Sequence, residues 1–155
     1  MSKNNLKKMN KTLKFTIIVI IAVTVFAGIF TWISCGQPWK IESFNEMKHV
    51  NYSNYKTQKN EEYFVFIYNP NQSGSMELEA SVSNYANYAR LNKVKKIYAY
   101  NYSIDSNSNI KSDISISDDT KVTRLLVIKD GTVNNKYTDW DDINNALKSE
   151  IETSK

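Results

Sequence analysis

The longest apolar run lies near the start of the chain. Residues 13–34 carry one charge, Lys14, and the 19 residues 15–33 carry none. About 20 apolar residues at 1.5 Å rise cross a ~30 Å hydrocarbon core, so the pattern predicts one transmembrane helix over 13–34. Thr16, Thr24 and Thr31 can return their hydroxyls to the helix backbone, and Gly28 is tolerated in lipid. Gly36-Gln37-Pro38 ends the helix, because proline has no amide donor and turns the residue before it away from helix. The stretch 40–60 is polar, with Ile41, Phe44, Met47 and Val50 spaced by three. That spacing predicts an amphipathic helix over 42–52.

Residues 63–68 read Tyr-Phe-Val-Phe-Ile-Tyr, apolar without interruption and closed by Asn69-Pro70-Asn71. The run predicts a strand buried on both faces, hence central in a sheet. A helix is predicted over 76–91, where Leu78, Val82, Tyr85 and Ala89 share one face and Ser75 is a candidate cap. Residues 96–102 alternate, with Ile97 and Ala99 on one side and Tyr98, Tyr100 and Tyr102 on the other. The tyrosine face is read as packing under a helix. A Ser/Asn/Asp-rich loop follows over 103–120, with room for one short helical turn. The third strand spans 121–129, and Asp130-Gly131 predicts a two-residue hairpin turn into a polar edge strand over 132–138. A closing helix over 140–151 has Ile143, Leu147 and Ile151 as its stripe and Asp139 as candidate cap. This order predicts an α/β domain: a mixed sheet flanked by helices, in which the strand-helix-strand unit makes a parallel pair and the hairpin an antiparallel edge.

Charge divides the chain. It has 20 basic and 16 acidic side chains, yet Lys3, Lys7, Lys8, Lys11 and Lys14 precede every acid, and the remainder is close to neutral. Lysines before an apolar span hold that end in the cytoplasm. The expected layout is a cytoplasmic basic tail (1–12), the span (13–34), a juxtamembrane segment (35–59) and an extracytoplasmic domain (60–155). A nucleic-acid binder needs its basic residues on the folded part, so nucleic acid is not an expected partner. The lipid bilayer and another membrane or secreted protein are.

One cysteine, Cys35, excludes an internal disulfide, a CxxC centre and a cysteine-built zinc site. The apolar run is longer than that of a cleavable signal peptide and lacks an A-x-A-like end. Trp32-Ile33-Ser34-Cys35 resembles a bacterial lipobox, but Trp32 stands where that motif has an aliphatic residue. A lipidated Cys35 and a free thiol both remain open. The single histidine, His49, reads as a surface or packing residue, and a hydrolytic pairing with Ser73 or Ser75 lacks the G-x-S-x-G context. Asp113, Asp118, Asp119, Asp139, Asp141 and Asp142 lack the spacing of a calcium loop. No cofactor is called for.

The element order resembles the thioredoxin-like fold, and the likeness extends to motifs over roughly 60–152. Extracytoplasmic members, including bacteriocin transport accessory proteins of Gram-positive bacteria, carry aromatic-x-Pro-x-Cys-x-x-Cys after the central strand. Here Tyr68 and Pro70 fit, while Gln72 and Ser75 stand where the cysteines would be, with Ser73 between them. The family's cis-proline position, before an apolar run and a Lys-(Asn/Asp)-Gly turn, is taken by Thr123, followed by Arg124. Thiol exchange needs an attacking thiolate and a resolving thiol, and neither Gln72 nor Ser75 supplies one. The resemblance therefore implies a fold without dithiol chemistry. Its former active-site surface, formed by Tyr68, Pro70, Gln72, Ser73, Ser75, Thr123 and Arg124, would be free to bind a peptide or protein. The expected function is a redox-inactive, membrane-anchored accessory module on the outer face of a bacterial membrane, assisting export or surface assembly. The alternatives are an oxidoreductase relying on Cys35 or a partner's thiol, and an immunity-type protein acting through its membrane helix.

Overall fold

A computed structural model describes residues 11–34, 40–106, 108–116 and 121–154. It divides the chain into two compact units, Met1–Lys40 and Ile41–Lys155. The first contains α1 (Lys11–Ser34). Its Thr24 hydroxyl donates to the carbonyl of Ile20 at 2.6 Å, as a threonine in an apolar helix should. The described side chains of α1 are residue 13 and residues 15–25, all exposed. Among the described residues no helix is long and apolar enough to cross a membrane. The basic tail over 1–10, and Cys35 with its neighbours up to Trp39, lie outside the described residues.

The second unit is built on β1 (Glu62–Tyr68), β2 (Lys96–Asn101), β3 (Arg124–Lys129) and β4 (Thr132–Tyr137), in the order β2-β1-β3-β4. β1 runs parallel to β2, with Val65 opposite Tyr98, and antiparallel to β3, with Val65 opposite Leu126. Six consecutive residues of β1 are buried, as its unbroken apolar sequence requires. Alternation sends Phe64, Phe66 and Tyr68 into one core and Tyr63, Val65 and Ile67 into the other. The first core lies under α3 (Glu79–Leu91) and α5 (Trp140–Thr153), where Leu78, Val82, Tyr85, Ala89, Ile143 and Leu147 are buried. The second lies under α4 (Ser108–Asp113) and gathers Tyr98, Tyr100, Tyr102, Ile110 and Ile114. The hairpin turn adopts positive φ at both Asp130 (50°) and Gly131 (73°), the conformation its sequence favours.

Buried tyrosines anchor the second core by both ends. Tyr63 donates to the carbonyl of Tyr55 (2.9 Å), Tyr98 to Asn60 (2.7 Å) and Tyr100 to the carbonyl of Asp105 (2.8 Å). The rings fill volume while each hydroxyl is satisfied, as buried polar groups require. Tyr55 donates to Asp113, which also accepts from Lys56 at 2.7 Å, and so ties α4 to the turns after Val50.

Three expectations need correction. No helix spans 42–52: the segment holds a three-residue 3-10 turn, Phe44–Glu46, and then runs extended, with His49 bridging Ala99 of β2. The apolar spacing is real, but Phe44 and Met47 enter the first core and Val50 the second. The chain crosses the edge of β2 there, so one helical face would not serve. These residues belong to the same compact unit as the sheet. The helix predicted over 76–91 is interrupted. A short α2 (Ser73–Met76) precedes α3, and Ser75 sits inside α2, buried, rather than capping. The break falls at Glu77 and Leu78, where the backbone tightens to a three-residue hydrogen bond from Leu78 N to the carbonyl of Ser75 at 3.3 Å. Asp139 stands at the start of α5 but makes no side-chain capping bond; its carboxylate accepts from Thr138 at 3.2 Å.

Two outcomes follow. Phe66→Ala should lower unfolding free energy by about 3–5 kcal/mol in urea denaturation, whereas Asn134→Ala on exposed β4 should stay within about 0.5 kcal/mol. Burial pushes the Asp113 carboxyl up, but hydrogen bonds from Lys56 and Tyr55 outweigh it and hold it below its ordinary value. A depressed carboxyl stabilises above the unfolded pKa of about 3.9 and loses that contribution as pH falls through the folded value. Asp113→Asn should therefore be less stable than the wild type at pH 7, and the gap should close in acid.

Candidate functional site

The loop after β1 and the residues leading into β3 meet at the C-terminal end of β1. Asn69 begins a tight turn: its carbonyl accepts from Gln72 N at 3.0 Å and its side chain from Asn71 N at 3.0 Å. This is the local self-bonding that asparagine favours in turns. The turn delivers Gln72 to the start of α2, where its carbonyl accepts from Ser75 N at 3.1 Å.

Two side-chain bonds fasten this loop to β3. Gln72 Oε1 accepts from the amide of Val122 at 3.3 Å. Ser75 Oγ lies 2.5 Å from Thr123 Oγ1 and accepts from the amide of Asn69 at 3.1 Å. Gln72 and Ser75 are thus both tied to the Val122–Thr123 segment in one hydrogen-bonded bridge. Ser75 is fully buried, so its hydroxyl closes the structure rather than meeting a ligand.

Above the bridge lies an open cleft of about 620 Å³. Of the residues singled out in the sequence, Gln72, Ser73, Thr123 and Arg124 line it, together with Thr138, Asp139 and Trp140 at the start of α5. The α5 contribution was not read from the sequence. Trp140 looks there like an ordinary helix start, but it is 49% exposed. Only the return of α5 to the end of β1 gives it a place in the cleft. Two expected residues are elsewhere. Tyr68 is buried, its ring centroid 4.6 Å from that of Phe44 and its hydroxyl 3.0 Å from His49 Nε2. His49 Nδ1 lies 2.9 Å from the carbonyl of Met47, so the neutral tautomer that donates there accepts from Tyr68. Pro70 is exposed and does not line the cleft.

Charge in the cleft is mixed. Lys121 and Arg124 line it together with Glu77 and Asp139. Burial holds the Arg124 guanidinium below its usual range, and the negative charge of Asp139 pulls it partly back. Arginine stays protonated at neutral pH regardless. One of its amines donates to the carbonyl of Thr123 at 2.8 Å, while Nε is buried without a hydrogen-bond partner among the described residues. Among those residues no three His, Cys, Asp or Glu side chains converge to hold a metal. The cleft offers a positive anchor, an indole face and amide and hydroxyl groups. Among the described residues lining it, none is a nucleophile paired with a neighbouring base.

No protein-family model and no curated protein matches the sequence. Solved structures do match the fold. A yeast mitochondrial 1-Cys peroxiredoxin, studied for thiol resolution via glutathione/thioredoxin systems, aligns with a TM-score of 0.54 at 11% identity, over 72% of this chain and 98% of its own. Mitochondrial thioredoxin 3 of Saccharomyces cerevisiae in its oxidised form aligns with a TM-score of 0.53 at 8% identity, over 68% and 97%. The zinc-bound form of human ERp44 aligns with a TM-score of 0.53 at 10% identity, over 70% of this chain and 30% of its own. At such identities the likeness speaks for the fold alone. The sheet order, the parallel β1–β2 pair and the antiparallel β3–β4 hairpin agree with it, and the chain carries a thioredoxin-like fold.

Proposed function

We propose that this chain is a redox-inactive, membrane-anchored binding module on the outer face of a bacterial membrane, assisting an export or surface-assembly system. The observation that carries the reading is the bridge beneath the cleft. Gln72 and Ser75 occupy the dithiol positions, and both are committed to hydrogen bonds with the Val122–Thr123 backbone and side chain. A thiolate is the attacking group in disulfide exchange, and a serine hydroxyl or an amide does not replace it at neutral pH. The cleft that remains, walled by Arg124 and Trp140, suits a polypeptide segment. The membrane anchor rests on the sequence: the uncharged run over 15–33 and the lysines before it. That polarity supports a position outside the cell for the thioredoxin-like unit, and the resemblance to extracytoplasmic members supports an accessory role there.

Insulin reduction by dithiothreitol tests the redox half. The full-length protein should add nothing to the uncatalysed rate, and Gln72→Cys/Ser75→Cys should gain turnover by restoring a dithiol on the same backbone. Turnover by the wild type that disappears in Cys35→Ser would overturn the reading and favour an oxidoreductase working through that thiol.

A further inference from the structure

A second groove lies away from the cleft, between α3, the edge of β2 and the first residues of the folded unit. Its volume is about 290 Å³, below the usual range for a small-molecule pocket. The floor is apolar: Ile41, Met47, Ala89 and Ile97. The rim is basic: Lys48, Arg90 and Lys96. Among the described residues no acidic side chain lines it; Glu46, in the neighbouring turn, and Glu42, before it, lie outside its lining. Lys48 Nζ sits 5.1 Å above the Tyr98 ring and bonds the neutral side-chain oxygen of Gln58 at 3.4 Å. Lys96 Nζ bonds the carbonyls of Ala89 and Asn92 at the end of α3. Both bond neutral acceptors, so their charge is not cancelled.

Sequence position supplies the occupant. Ile41, in the floor, follows Ser34, the last residue of α1, by seven residues. Seven residues reach at most about 25 Å even fully extended. If α1 is anchored in a bilayer, Ile41 is held close to its surface. Basic side chains around an apolar floor match an anionic phospholipid surface, which supplies charge for the rim and acyl carbon for the floor.

We propose that this groove docks onto anionic phospholipid headgroups of the membrane that holds the chain's own apolar segment. The inference rests on the anchoring reading above. Docking would fix how the thioredoxin-like unit stands on the membrane. Each cation near such a surface adds roughly fivefold to the docked population, and salt weakens it over a Debye length of about 8 Å.

The test uses the full chain in phosphatidylcholine nanodiscs with or without phosphatidylglycerol, each lipid in turn carrying a photoactivatable headgroup. Adducts mapped by mass spectrometry should fall on residues 41–48 and 86–97 with labelled phosphatidylglycerol and decline with salt. Lys48→Gln should lower their yield about fivefold. Lys96 is left in place because it closes the end of α3. Should the variant misfold, the salt titration of the wild type reads the same interaction. Adducts confined to residues 13–34 would overturn the docking and leave the anchor standing. Equal labelling by both lipids would overturn the choice of an anionic surface, and a groove shielded by a second copy of the chain would overturn the lipid occupant. Failure of the chain to enter the nanodiscs would remove the anchor and this inference together.

Discussion

Burial of β1 on both faces is the constraint on which the rest depends. Its six buried residues divide between two cores, and it lies between β2 and β3 in the sheet. Each core then demands its own cover. α3 and α5 supply one, α4 and the turns after Val50 the other. The same placement decides where chemistry can occur. β1 must stop where the sheet ends, and its last buried residue, Tyr68, hands the chain to the Asn69 turn directly beneath the cleft. Position of the loop is therefore a consequence of core packing.

At that point two side chains act as struts: Ser75 to Thr123, Gln72 to the amide of Val122. Neutral hydrogen bonds of this kind contribute about 1 kcal/mol each, enough to hold the loop against β3 without any cross-link. Trp140 and Arg124 are the largest side chains lining the cleft above these struts.

Much of the fold was legible because burial writes itself in simple periods. The unbroken run over 63–68 announced a central strand, the alternation at Ile97–Tyr102 separated two faces, and Asp130-Gly131 specified its own turn. The failures share a cause: tertiary context that spacing does not contain. Ile41, Phe44, Met47 and Val50 share a period of three because the chain turns once and then crosses the sheet edge, and the same period also describes a helix. Ser75 has the chemistry of a cap, but a partner 48 residues away claims its hydroxyl. Tyr68 sat inside the motif, yet strand alternation sends its ring inward, to Phe44 and His49. The part played by Trp140 is set by how α5 returns to the sheet, which no local pattern records.

The central claim is that the loop 69–75 and Arg124 form a surface that binds protein rather than one that reacts. Photocrosslinking in cells from a photoreactive residue replacing Gln72, with the adduct identified by mass spectrometry, tests it most directly. The account predicts one dominant protein partner, lost when Trp140 and Arg124 are both changed to alanine in a chain that still folds. Absence of any specific adduct from a folded chain would contradict it and move attention to the apolar run over 15–33 and to Cys35.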